Sequence, residues 1–112
     1  MKRYYYSNSI AQFLCDDTDA IYGRIALNCE FAVEQNQKNA WVAQIEQLKE
    51  ILKNLNGTIY FEYSIPRMGK RVDVLLIAGQ AIFVVEYKVG EKQYHSYAVD
   101  QVVDYALDLK NF

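Results

Sequence analysis

At 112 residues the chain has room for one small domain built on a single core. Its 52% apolar and 23% charged residues are ordinary for a globular protein, and 2 cysteines are too few for a disulfide framework. A net charge of −2 argues against a simple electrostatic nucleic-acid binder, but not against an enzyme whose metal ion supplies the positive charge.

Residues 1–35 read as an N-terminal extension of short helical pieces. The start, MKRYYYSNS, lacks the apolar run of a signal peptide, and no later stretch reaches the length of a membrane span. A cytoplasmic protein is the expectation. Ser7 or Ser9 can cap the helix SIAQFL, and Asp16 can cap a second with Ala20, Ile21, Ile25 and Leu27 on it. Residues 36–112 read as an α-β-β-β-α core. Its first helix runs from Asn36 to Leu55, where Trp41, Ile45, Leu48, Leu52 and Leu55 recur as one apolar stripe. Asn56-Gly57 closes that helix, with Gly as its left-handed cap. The 10 tyrosines suit core packing first and a surface groove second.

Thr58 to Ile65 reads as a strand, and the break at Pro66-Arg67-Met68-Gly69 leads into the next. RVDVLLIAGQAIFVVEYK then reads as a hairpin turning at Gly79-Gln80. A two-residue loop there pairs Ala78 with Ala81, Ile77 with Ile82, Leu75 with Val84, Asp73 with Glu86 and Arg71 with Lys88. Alternation puts Val72, Val74, Leu76, Ala81, Phe83, Val85 and Tyr87 on one apolar face. The other face carries Leu75, Ile77, Ile82 and Val84, then the charged residues.

Two carboxylates directly opposite one another, about 4.5–5.5 Å apart at Cβ, must share a proton or bind a cation. A hard divalent cation resolves the conflict. A loop centred on Met68-Gly69 puts Glu62 opposite Leu75, on the face of Asp73. Arg67, Lys70 and Arg71 form a small basic cluster beside this position, suited to a phosphate or simply to solvent. Beyond Lys88 comes a loop holding the lone His95, which nothing orients. Asp100 to Phe112 reads as a helix, with Gln101 and Tyr105 four apart and so sharing a face.

Asp73, followed on the next strand by Glu86-Tyr87-Lys88 and then by Gln101-Val102-Val103-Asp104-Tyr105, resembles the PD-(D/E)xK nuclease superfamily in its branch with a QxxxY helix. FEYSIPRMGKRVDVLLI, FVVEYKVG and DQVVDYALDLKNF are similar to the nuclease-like N-terminal domain of bacterial Schlafen-like DNA/RNA helicases. The resemblance covers roughly residues 37–112.

It implies a restriction-endonuclease-like α/β fold with a three-stranded mixed or antiparallel sheet, and metal-dependent hydrolysis of DNA or RNA. Asp73, Glu86 and the Tyr87 carbonyl would hold Mg²⁺ or Mn²⁺, and Lys88 would serve the attacking water. Gln101, Tyr105 and Glu62 would support the site, while Arg67, Lys70 and Arg71 would meet the substrate. Two departures stand out. Val72 replaces the proline, and the family's further strand after the second helix has no counterpart before Phe112. The expectation is either a fragment, with its helicase region elsewhere, or a partner that supplies the edge, and an incomplete sheet edge invites pairing with a second copy. The rival expectation is an inactive module of the same fold that docks protein or nucleic acid for an attached helicase.

Overall fold

The computed structural model describes residues 3–65 and 69–87. Arg67, Lys88, His95, Gln101, Tyr105 and the expected second helix lie outside them. Among the described residues the chain forms a small α/β domain of four antiparallel strands and three helices. In chain order these are β1 (Tyr6–Ser9), α1 (Ile10–Cys15), α2 (Thr18–Asn28), α3 (Gln35–Ile51), β2 (Thr58–Ile65), β3 (Lys70–Ala78) and β4 (Ala81–Val85). The sheet runs β1-β2-β3-β4, so each strand neighbours the next in sequence. No described helix is long and apolar enough to cross a membrane.

The β3–β4 hairpin has the expected register, from Ala78↔Ala81 through Ile77↔Ile82 and Leu75↔Val84 to Val74↔Val85. Gly79 takes φ +62, the arrangement a two-residue turn asks of a leading glycine. β2 spans the expected residues. The N-terminus departs from expectation: Tyr6–Ser9 is not helical but a fourth strand, pairing Tyr6↔Phe61 through Ser9↔Thr58. Ser9 then caps α1, its hydroxyl accepting from the Gln12 N–H at 3.1 Å. Asp16 ends α1 instead of starting α2, whose cap is Asp17.

Trp41, Ile45, Leu48 and Leu52 bury the stripe of α3 against Ile21 and Ile25 of α2 and against Ile59, Phe61, Val74 and Leu76 of the sheet. The helix stops at Ile51, earlier than expected, and Leu55 is 37% exposed. Gly57 is therefore no helix cap. A Cβ there would overlap the Ile77 carbonyl oxygen, so glycine is what lets β2 begin against β3.

The expected faces hold for only part of the sheet. Ile59, Phe61, Val74 and Leu76 pack towards the helices, but Tyr63, Ile65 and Val72 pack in a second cluster with Leu75 and Val84. Tyr63 and Ile65 share parity with Phe61, and Val72 shares parity with Val74, so both strands turn over between these pairs. Glu62, with φ +55, is the residue at the turnover in β2. Phe83, expected on the buried face, is 43% exposed on β4.

Candidate functional site

The paired residues that flank Glu62 and Asp73 are Phe61↔Val74 and Tyr63↔Val72. Glu62 thus faces Asp73 itself and not Leu75, because Ile65 pairs with Lys70 and the register follows by counting back from that pair. The same counting along β3–β4, where Val74 faces Val85, sets Glu86 across from Asp73 on the other side. Three acidic residues, one on β2, one on β3 and one directly after β4, therefore lie in one row.

Their electrostatics follow from that row. Burial raises the Asp73 pKa; the Tyr87 N–H, donating to its Oδ2 at 2.6 Å, lowers it, Glu86 raises it, and Lys70 lowers it. Burial lifts the Glu62 carboxyl to about 7, Asp73 adds to the rise, and the Trp41 indole and Arg71 oppose it. The Tyr87 hydroxyl is also raised, by burial and then by Asp73. Lys70 Nζ lies 3.5 Å from Glu86 Oε1, a buried oxygen with no hydrogen-bond donor of good geometry.

Arg71, expected in the basic cluster beside the acids, also lines the cleft next to Tyr5. Its guanidinium lies 4.3 Å from the centre of the Tyr5 ring and donates to the Glu62 carbonyl at 2.7 Å. Glu30 Oε1 is 3.4 Å away as an ion-pair partner. Lys70 and Arg71, adjacent in sequence, thus go to different acids.

The structure also has a cleft of about 1040 Å³, lined by residues that include Tyr5, Glu30, Phe31, Trp41, Glu62 and Arg71. Among the lining residues, sequence reasoning gave site roles to Glu62, Lys70 and Arg71, and placed Trp41 solely as helix packing. The signal missed was the Tyr-rich start, whose Tyr5 and Tyr6 are core residues beside a strand.

The acids fit a hard divalent ion only in a modest way. Asp73 and Glu86 offer oxygen donors whose mutual repulsion a cation would relieve, and Mg²⁺ is commonly held by one or two carboxylates with waters. Among the described residues, no group of three or more His, Cys, Asp or Glu side chains could hold a metal ion. Glu62 belongs to the row and to the cleft without completing such a cage. No family model, curated protein or solved structure matches the chain.

Proposed function

We propose that this chain is the nuclease-like part of a PD-(D/E)xK enzyme that hydrolyses phosphodiester bonds in DNA or RNA with Mg²⁺ or Mn²⁺, joined to a helicase region. The observation that carries the reading is the position of Asp73, partly buried between acidic residues of both neighbouring strands. Such a row is costly unless a proton or a cation neutralises it.

A bound divalent ion supplies a Lewis acid for the phosphoryl oxygen and lowers the pKa of a coordinated water. Asp73 and Glu86 would be its side-chain donors. The bond from Tyr87 N–H to Asp73 pins the main chain at Tyr87, whose carbonyl would be the third donor. Lys88, next along the chain, orients the attacking water and offsets negative charge in the transition state. Gln101 and Tyr105 support the site, and Arg67 and Lys70 meet the substrate phosphates. Arg71, engaged by Tyr5 and Glu30, holds the wall of the cleft instead.

Asp73 is hydrogen-bonded and Glu86 has Lys70 beside it, which favours one second reading: an inactive docking module with its acids neutralised internally. Calorimetric titration of Mn²⁺ separates the two. The nuclease reading expects binding heat in wild type that Asp73→Asn abolishes, and nucleic-acid cleavage that Lys88→Ala abolishes. Equal heats in both proteins leave the docking module.

A further inference from the structure

The cleft beside Glu62 carries groups that hydrolysis does not use. The left-handed backbone at Glu62 brings this residue into the cleft with Ser64, although strand alternation would pair it with Tyr60 on the far face. Trp41 is only 2% exposed, and its Nε1–H, near the Glu62 carboxylate, makes no hydrogen bond of ordinary geometry. Phe31, on the loop between α2 and α3, lines the same cleft while 77% exposed. Arg3, Lys70 and Arg71 are also in the lining, with Glu30 beside Arg71.

We infer that this cleft binds a guanine base of a nucleic-acid strand, with the Glu62 carboxylate accepting from guanine N1–H and N2–H₂ and Phe31 stacking on the ring. An ionised carboxylate only accepts, and it takes two donors side by side. Among the four bases, guanine alone presents two adjacent donors on its Watson–Crick edge. Adenine, cytosine and uracil each set a donor beside an acceptor, which leaves one carboxylate oxygen facing a lone pair. Single-stranded bases are read on that edge while stacked on aromatic side chains. An aromatic cleft with a carboxylate also suits a quaternary ammonium group. The lining pairs Arg3, Lys70 and Arg71 with Glu30, Glu34 and Glu62, so net charge does not choose between the two ligands; two adjacent donors matched to one carboxylate favour guanine, and tetramethylammonium enters the test as the competing outcome.

The inference rests on the nucleic-acid part of the proposed function, but not on hydrolysis, so it is tested with metal removed. Trp41 is the single tryptophan, and its indole N–H gives one resonance in a ¹H–¹⁵N spectrum. The 112-residue chain in EDTA, at about pH 8 so that the Glu62 carboxyl is ionised, is titrated with guanosine, adenosine, cytidine and uridine monophosphates, with tetramethylammonium, and with short oligonucleotides holding one guanine or none.

The expected result is a saturable shift with guanosine monophosphate, at an affinity about ten-fold tighter than for the other three. An oligonucleotide holding guanine binds more tightly still. Glu62→Gln removes the preference, because its amide presents one acceptor and one donor. Phe31→Ala weakens all four nucleotides alike, since stacking tolerates any base. Equal responses to the four nucleotides, a preference that survives Glu62→Gln, or a shift with tetramethylammonium alone overturns the inference. Tighter binding of the free nucleotide than of the oligonucleotide overturns its assignment to a strand. Asp73→Asn that loses cleavage yet keeps the guanine preference separates this pocket from the hydrolytic site.

Discussion

Glu62 and Asp73 face each other across β2 and β3 at the point where both strands turn their side chains over. Each is acidic and partly buried; burial raises the proton affinity of both, Asp73 adds to the rise at Glu62, and Glu86 adds to the rise at Asp73. A non-glycine residue at φ +55 inside a strand is costly, about 1–3 kcal/mol, and is kept only where surrounding structure enforces it. The acidic row and the strained backbone therefore occur at one position, and both weigh against stability.

That cost has a pH signature. Glu62 sits at about 7 when folded against an ordinary 4.5, chiefly because it is buried and then because Asp73 is near. With the folded pKa above the unfolded one, the folded chain holds its proton more tightly. Stability is full below the unfolded pKa, declines as pH rises towards 7, and levels once both states are ionised. The decline is worth about 3 kcal/mol by linkage. Asp73, also raised, adds to it with the same sign. Urea denaturation from about pH 4.5 to 7.5 should show the slope in wild type and a markedly flatter one in Glu62→Gln. An unchanged slope in the variant means that Glu62 ionises as freely as in the unfolded chain.

Asp73 should respond differently to two substitutions. Asp73→Ala removes the acceptor of the Tyr87 N–H and leaves that group unsatisfied, at a cost of about 1–3 kcal/mol. Asp73→Asn keeps an acceptor oxygen and deletes the charge between Glu62 and Glu86. Its stability at neutral pH should match or exceed that of wild type, and Glu62 should titrate lower, because Asp73 is the second cause of its rise. Thermal melts rank the variants, and a ¹³C titration of the Glu62 carboxyl reads the shift. An Asn variant as unstable as the Ala variant would mean that charge, not the hydrogen bond, is what Asp73 contributes.

How far the sequence reveals this arrangement depends on the length scale of each signal. The β3–β4 register is legible because Gly79 fixes a two-residue turn and everything beyond it follows by counting. The α3 stripe is legible because Trp41, Ile45, Leu48 and Leu52 repeat at helical spacing. β1 is not, because its four residues run straight into a helix capped by Ser9, and the cap dominates the local pattern. Nor is the strand turnover, since a left-handed Glu62 bears no residue signature and its cause is tertiary. The error in pairing Glu62 has the same root: a longer connection leaves register to packing.

Two glycines separate steric need from conformational need. Gly79 has φ +62 with open space around a prospective Cβ, so Gly79→Ala should cost about 1–2 kcal/mol, the left-handed penalty alone. Gly57 combines φ +154 with a Cβ position that overlaps the Ile77 carbonyl and comes within 3.0 Å of Ala78 Cα. Both obstacles are backbone and cannot swing aside, so Gly57→Ala should cost well more than the roughly 1–2 kcal/mol of Gly79→Ala, whereas a sterically compatible replacement would gain about 0.4–1 kcal/mol. Paired denaturation curves test the order. Equal losses would show that β2 can move away from β3 without penalty.

Lys49 offers a stability test unrelated to the acids. From α3 its Nζ donates to the carbonyl of Phe13 at 2.9 Å, to that of Leu14 at 3.4 Å and to that of Asp16. These carbonyls lie at the end of α1, where the helix leaves acceptors unsatisfied and its dipole favours a cation. The same amine is 5.3 Å from the centre of the Phe13 ring. Lys49→Met keeps the apolar stem but strands the acceptors, and should cost about 1.5–3 kcal/mol, the range for hydrogen bonds to a charged group. Lys49→Arg should recover only part, because a planar guanidinium cannot converge on three carbonyls as an ammonium does. Salt gives a further check. The partners are neutral, so the difference between wild type and Lys49→Met should persist in 1 M sodium chloride, where the screening length is only about 3 Å. A difference that collapses in salt would instead assign the effect of Lys49 to distant carboxylates.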